Sequence, residues 1–410
     1  MKHLAPTTFR SFACAAGRCP DSCCRAGWEI IPDEETLKLY QTLPGTAGAR
    51  VRAGIVPACG DGHQPPAEPA ESLLRQDDAR VCVLLDPDGL CHVQRNFGHE
   101  ALCRVCREYP RFHREFGNLT EHGVSLSCPT AYALGVGKPL EWETWEDQAP
   151  VVPNDLDPAA YLRLRRGREL ALNLLAREEL SLERRIELVR RLAAAMQAAP
   201  EKRIRHDWAL RLRRWEAGIR EPGARLGKQN KAFSPGGSRP EGPEEGKSQQ
   251  RTAFCGAPLE RMQNARCRMQ NAWVRGNRQL SELDRLAERF SSLELLSPAW
   301  GEALERFRML LRNEAGAQYA PLQTDRPEVY ARYLAYSLYK YWLDALDDGN
   351  LAGRVERSVS MTLLGLAMDR AFPEDGPFLQ RISREVEHSE ENLAALLADG
   401  TALTGKRRGG

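Results

Sequence analysis

The sequence predicts a mainly α protein with a small mixed α/β, cysteine-rich, metal-binding N-terminal region and a helical C-terminal region. Ten of its twelve cysteines fall between positions 14 and 128, which sets a thiol-rich front against a nearly thiol-free back. Beyond about position 158, apolar residues recur every three or four positions with Arg and Glu between them, the period of amphipathic helices. At 410 residues the chain exceeds one ordinary domain. Four segments follow: a cysteine-rich metal-cluster domain over 1–142, a helical segment over 143–220, a Pro/Gly-rich insertion over 221–276 and a helical domain over 277–404.

In the front, "PDEETLKLYQTL" has an acidic first turn and apolar spacing at Leu37, Tyr40 and Leu43, so it predicts a short helix stopped at Pro44-Gly45. Residues 44–71, rich in Gly, Pro and Ala, predict a loop. "VCVLLDPDGLCHVQ" predicts a β-hairpin turning at Asp86–Gly89, with Leu85 facing Leu90 and Cys82 and Cys91 on one side. "GHEALCRVCREYP" predicts a short helix ending before Pro110, with Cys103 and Cys106 on one face. "GVSLSCP" predicts a strand running into Cys128. In the back, helices are predicted over 158–178, 181–199, 203–218, 277–296, 300–313, 327–347, 353–371 and 376–398. Between them, "EPGARLGKQNKAFSPGGSRPEGPEEGKSQQ" has too little apolar surface for a core and predicts disorder over about 221–275.

A formal net charge of +2, with Glu interleaved among the Arg-rich helices, argues against a nucleic-acid partner and against an acidic membrane surface. No apolar run approaches the length of a membrane span, and the N-terminal residues lack the apolar core of a secretory signal. The expectation is a cytoplasmic location, where disulfides are rare and clustered thiols hold metals or do chemistry.

Setting aside Cys59 in its Gly/Pro loop, nine front cysteines remain: Cys14, Cys19, Cys23, Cys24, Cys82, Cys91, Cys103, Cys106 and Cys128. Buried free thiols explain one or two of these. Zinc needs four ligands, and Cys103-x2-Cys106 offers a half-site. An iron–sulfur cluster also takes four thiolates, and its motifs place Pro after a ligand, as in Cys19-Pro20 and Cys128-Pro129. Iron–sulfur is the preferred metal and zinc the alternative; spacing does not choose the four ligands. The Cys-x3-Cys-x2-Cys motif of radical S-adenosylmethionine enzymes is absent, because Ala26 stands where its third cysteine would be. His92 and His99 read as neighbours of ligands rather than ligands.

The frame "CPDSCCRAGW", "CVLL…GLCHVQ", "GHEALCRVCREYPR" and "SLSCP" resembles the flagellin lysine-N-methylase family. So do the aromatic helix "PEVYARYLAYSLYKYWLDALDDG" and the closing motif "SREVEHSEENL". The resemblance implies methyl transfer from S-adenosylmethionine to lysine ε-amines of flagellin, or of another protein bearing surface lysines. It also implies an iron–sulfur cluster, of the 4Fe-4S kind, held by four of the nine matched cysteines. The alternative is a non-catalytic iron- or zinc-binding protein for docking or electron transfer.

Lysine attacks as the neutral amine, so a base is required. The sulfonium is a cation favoured by carboxylates and aromatic faces. In the closing motif Glu387 and His388 are the candidate base or sulfonium partner, and Glu385 and Asn392 the candidate cofactor-binding pair. The competing reading is a solvated helix laced by charge pairs. Tyr330, Tyr333 and Tyr336 read as core, and Trp28 as packing around the metal.

Overall fold

Strand β1 (Lys2–Pro6) turns Ala5 into the interior, and short α1 (Thr8–Ser11) follows it. These belong to a computed structural model that describes residues 1–57, 72–151, 155–198, 280–313 and 323–398. Met1–Ala198 and Asn277–Gly410 fall in one compact unit. The helix expected over 203–218 and the insertion over 221–276 lie outside the described residues.

Asp33 caps α2 (Glu34–Thr42), accepting from the Thr36 amide at 3.0 Å, and Tyr40 faces inward as its spacing predicts. The loop expected from residue 44 gives way to a helix, α3 (Gly45–Ala53). Its Gly48 lies so close to the Leu43 carbonyl that no Cβ would fit, so a composition that reads as a loop serves close packing here. Strands β2 (Ile55–Pro57) and β3 (Ser72–Leu74) form a small antiparallel ribbon.

The hairpin expected over 81–94 is corrected. The turn stands at Asp86–Gly89, closed by Asp86 N–H donating to the Leu90 carbonyl at 2.9 Å, with Gly89 at φ +84°. Its return arm is a helix, α4 (His92–Phe97), and Leu85 bridges Cys91 instead of facing Leu90. Asp86 accompanies the change: its buried carboxylate takes Arg50 at 2.7 Å and Arg95, on α4, at 2.9 Å. Short α5 (Arg104–Glu108) starts at Cys103.

Strands β4 (Arg111–Phe116) and β5 (Leu119–Val124) are a hairpin about Gly117, and β5 ends four residues before Cys128 rather than running into it. Ser125–Cys128 instead leads into α6 (Pro129–Gly137), whose first residue is proline. Strand β6 (Trp142–Glu146) completes a sheet ordered β4-β5-β1-β6, in which β1 is parallel to β5 and antiparallel to β6.

The helical body comprises α7 (Pro158–Leu175), α8 (Leu182–Gln197), a helical stretch over 280–291, α9 (Pro298–Arg312), α10 (Pro327–Tyr341) and α11 (Leu351–Ala371). α11 is buried on nearly every side. Among its interior polar groups, Glu356 pairs with Arg190 at 2.5 Å and Ser358 with Ser337 at 2.9 Å. The body joins the sheet through a buried bidentate pair, Arg168 on α7 with Glu121 on β5, at 2.7 and 2.5 Å. Tyr330, Tyr333 and Tyr336 are buried in this core, and the Tyr336 hydroxyl accepts from the Val124 amide at 2.9 Å.

The single helix expected over 376–398 is two: α12 (Phe378–Glu387) and α13 (Glu390–Ala398). Ser389 breaks it, its hydroxyl accepting from the Asn392 amide at 3.1 Å to start the second helix. The described fold is thus mainly helical with a small sheet near the N-terminus, and no described helix is long and apolar enough to cross a membrane.

Candidate active site

The first cysteine loop, Cys14–Cys24, is shaped by short turns and seated on the Asp86–Gly89 turn. A side chain on Gly89 would meet the Gly17 carbonyl at 3.3 Å, so glycine is required there by contact as well as by φ. This seating brings Cys91 beside the loop. From α12, Arg384 donates to the carbonyls of Asp21 at 3.2 Å and Ser22 at 3.0 Å, fixing the loop's far end.

Seven of the nine candidate thiols line one cavity of about 110 Å³: Cys14, Cys19, Cys23, Cys24, Cys91, Cys106 and Cys128. Cys24 stands within hydrogen-bonding reach of Cys23 and Cys91. Cys103 does not line the cavity but bonds Cys106, and Cys82 lies behind in the apolar core with Tyr40 and Leu84. The Cys23 contact and burial push the Cys24 thiol up to about 12, and burial raises Cys82 to about 11 and lifts Cys128. Among the described residues, no three His, Cys, Asp or Glu side chains converge tightly enough to hold one metal ion.

A second cavity, of about 310 Å³, adjoins the first, and Cys23, Cys24, Cys106, Tyr109, Pro110 and Arg111 belong to both linings. Its opposite wall carries Lys340 from α10 and Glu387 and His388 from the end of α12. Glu387 Oε2 accepts from Lys340 Nζ and from Ser125 Oγ, each at 2.5 Å. Ser125 lies 2.7 Å from Ser127 Oγ, which lies 3.0 Å from the Tyr109 hydroxyl. Each hydroxyl carries one hydrogen, so Ser125, donating to Glu387, must accept from Ser127, and Ser127 from Tyr109. A directed line of hydroxyls therefore runs from the thiol wall to the Glu387 carboxylate.

His388 is enclosed beside the Arg384 and Glu385 backbone, and burial lowers its pKa below the ordinary 6.5. The nearest carboxylate, Glu294, is 3.7 Å from Nε2. Trp28 packs on Tyr109 at 5.1 Å between ring centres, under the Arg384 guanidinium.

Two curated proteins named lysine-N-methylase, from Salmonella choleraesuis and Salmonella typhimurium, are 31% and 30% identical to this chain over 126 residues. The match covers 30% of this chain, and the chain spans only 30% of the length of each of them. The flagellar biosynthetic protein FliU of Salmonella muenchen is 30% identical over 125 residues, and there the match covers 70% of the relative. The chain belongs to the lysine-N-methylase family. No protein-family model matches it. No solved structure matches it either.

For this lysine-N-methylase relative, the structure brings Glu387 and His388 to one cavity wall and leaves Glu385 and Asn392 away from it. Glu385 accepts from the Leu296 amide at 2.8 Å, and Asn392 bonds both the amide and the carbonyl of Glu294 at 2.9 Å. Both side chains brace the chain leading into α9 and line neither cavity. The helix break at Ser389 is the reason: it turns Asn392 off the line of His388. Lys340, Ser125, Ser127 and Tyr109 were not among the residues expected from the sequence. A signal for Lys340 existed, as the lone charge in "YLAYSLYKYW".

Proposed function

We propose that the protein transfers methyl groups from S-adenosylmethionine to lysine ε-amines of a protein acceptor, flagellin first among the candidates, and that the thiol-lined cavity holds an iron–sulfur cluster. One observation carries the reading: a wall of thiols and a wall bearing Lys340, Glu387 and His388 close on adjoining cavities with a common partition. The relatives' names, lysine-N-methylase and flagellar biosynthetic protein, support the reaction and the class of acceptor.

The donor set suits a cluster better than a single zinc ion. Four thiolates about 2.3 Å from one zinc must nearly touch one another, whereas these thiols ring a void, which is what a polyatomic cluster held at its corners requires. Cys14, Cys19, Cys23, Cys24, Cys91, Cys106 and Cys128 are the residues placed to hold it, with Cys82 and Cys103 behind them. Bound there, the cluster would supply a redox-active centre and a clamp across four chain segments.

The acceptor lysine enters as an ammonium and must lose a proton before attack. His388, neutral because burial disfavours its charged form, takes that proton. The amine nitrogen then forms its bond to the methyl carbon as the carbon–sulfur bond of the donor breaks, and the neutral thioether leaves. Glu387 stays an anion, held by Lys340 and Ser125, and favours the cationic donor and acceptor. Tyr109 and Trp28 offer aromatic faces to the sulfonium.

Anaerobically purified full-length protein, incubated with S-adenosylmethionine and flagellin, is expected to add mass increments of one methyl to flagellin. Flagellin that stays unchanged while the protein holds iron and sulfide overturns the methyltransferase reading. Zinc without sulfide, and without a charge-transfer absorption band, overturns the cluster.

A further inference from the structure

Lys340 is the one lysine among the described residues lining either cavity. Its side chain is 14% exposed, and its Nζ lies 2.5 Å from Glu387 Oε2. The rings of Tyr341 and Phe112 stand 5.0 and 5.3 Å from the same nitrogen. An ammonium has three N–H donors, and Glu387 is the hydrogen-bond acceptor that the described residues give this one. The remaining N–H groups therefore stand among aromatic faces. A carboxylate beside aromatic rings is the composition that recognises methylated ammonium, because each methyl removes a donor and adds apolar surface against a ring. The nitrogen thus has an acceptor for its proton, the same cavity wall as His388, and surroundings suited to its methylated form.

We propose that Lys340 is itself a methyl acceptor, so that the chain methylates its own α10. This rests on the methyltransferase reading above. A proton passes from Nζ to the Glu387 carboxylate, leaving a neutral amine. The nitrogen forms a bond to the donor methyl carbon, the carbon–sulfur bond of the sulfonium breaks, and the thioether departs. The product is a methylammonium that keeps its charge, and the proton on Glu387 returns to solvent. Because the side chain is enclosed, the reaction occurs within one chain.

The test uses full-length, anaerobically purified protein with isotopically labelled S-adenosylmethionine and no flagellin, followed by peptide mass mapping; a parallel reaction contains flagellin. The expected result is label on Lys340, at an initial rate per chain that does not change with protein concentration. Unlabelled methyl groups already on Lys340 in the unreacted protein, absent from the Glu387→Gln protein, support the proposal equally. Labelled flagellin with unmethylated Lys340 overturns this inference and leaves the methyltransferase reading standing. If flagellin is unlabelled and Lys340 carries neither label nor pre-existing methyl groups, both fall together. A Lys340 rate that rises with protein concentration overturns the single-chain assignment. Lys340→Arg, which keeps a cation against Glu387, must lose the label from this peptide, and label persisting on neighbouring residues refutes the site.

Discussion

His388 and Glu385 sit three residues apart, and burial moves them in opposite senses. For His388 it disfavours the imidazolium, so the ring on the cavity wall is neutral around pH 7. The kcat/KM for lysine methylation should therefore fall as pH drops below 6.5. His388→Gln should lower it by about 10²–10⁴-fold, the usual worth of a general base, and remove that acid limb. An unchanged acid limb in the variant would assign the base elsewhere. For Glu385, burial raises the carboxyl to about 7, above its ordinary 4.5. The folded chain then binds the Glu385 proton more tightly than the unfolded chain does. Its contribution to stability is present at low pH and is lost as pH rises from about 4.5 through about 7. Glu385→Gln keeps an acceptor for the Leu296 amide without a charge to bury, so its thermal midpoint should exceed that of the native protein above pH 7 and match it near pH 4. A midpoint difference that does not vary with pH would contradict this.

The elements differ in how plainly the chain announces them. Helices with one apolar face, such as α7 and α8, stand close to their predicted bounds because periodicity alone specifies which side is buried. Where a buried side chain decides the backbone, composition misleads. Asp86 pairs with Arg95 on the helix that replaces the expected hairpin arm, and Gly48 packs against Leu43 in the helix that replaces an expected loop. The sheet offers no local signal, since β1 and β5 are parallel neighbours more than a hundred residues apart. It also holds a line of histidines that spacing could not reveal. His113 lies 2.6 Å from His122, His122 lies 2.9 Å from His3, and His3 lies 3.0 Å from Asp147. Burial, with the neighbouring His113 and His3, lowers His122 to about 4, against 6.5 when exposed. In that window the unfolded chain binds a proton that the folded chain refuses. Stability is therefore complete above about 6.5 and declines as pH falls toward 4. Thermal melts should show this acid slope for the native protein and a shallower one for His122→Phe; identical slopes would place the sensitivity outside the sheet.

At the scale of the whole described unit, the first cysteine loop and the Ser125–Cys128 segment are tied to the helical body by hydrogen bonds made by α12. Gln380 donates to the Ser127 carbonyl at 2.6 Å, while Arg384 holds the Asp21 and Ser22 carbonyls next to Cys23. The concentration of cysteines marks where the thiol site forms, yet nothing in the cysteine spacing states that a helix near residue 380 completes it. That information is tertiary, carried by an Arg and a Gln indistinguishable in sequence from surface residues. A buried hydrogen bond to a charged group is worth about 1.5–3 kcal/mol. Arg384→Ala should accordingly free the first cysteine loop from the body, and, on the proposed cluster reading, the protein should retain less iron and sulfide per chain after anaerobic purification. Arg384→Lys should fall between the two, since one ammonium does not span both carbonyls as a guanidinium fork does. Because a group bound only by the folded chain stabilises it by mass action, removing the proposed cluster from native protein should lower its thermal midpoint. The same treatment should shift Arg384→Ala less, its site being already weakened. Full iron occupancy in Arg384→Ala would mean that the loop holds its shape without α12.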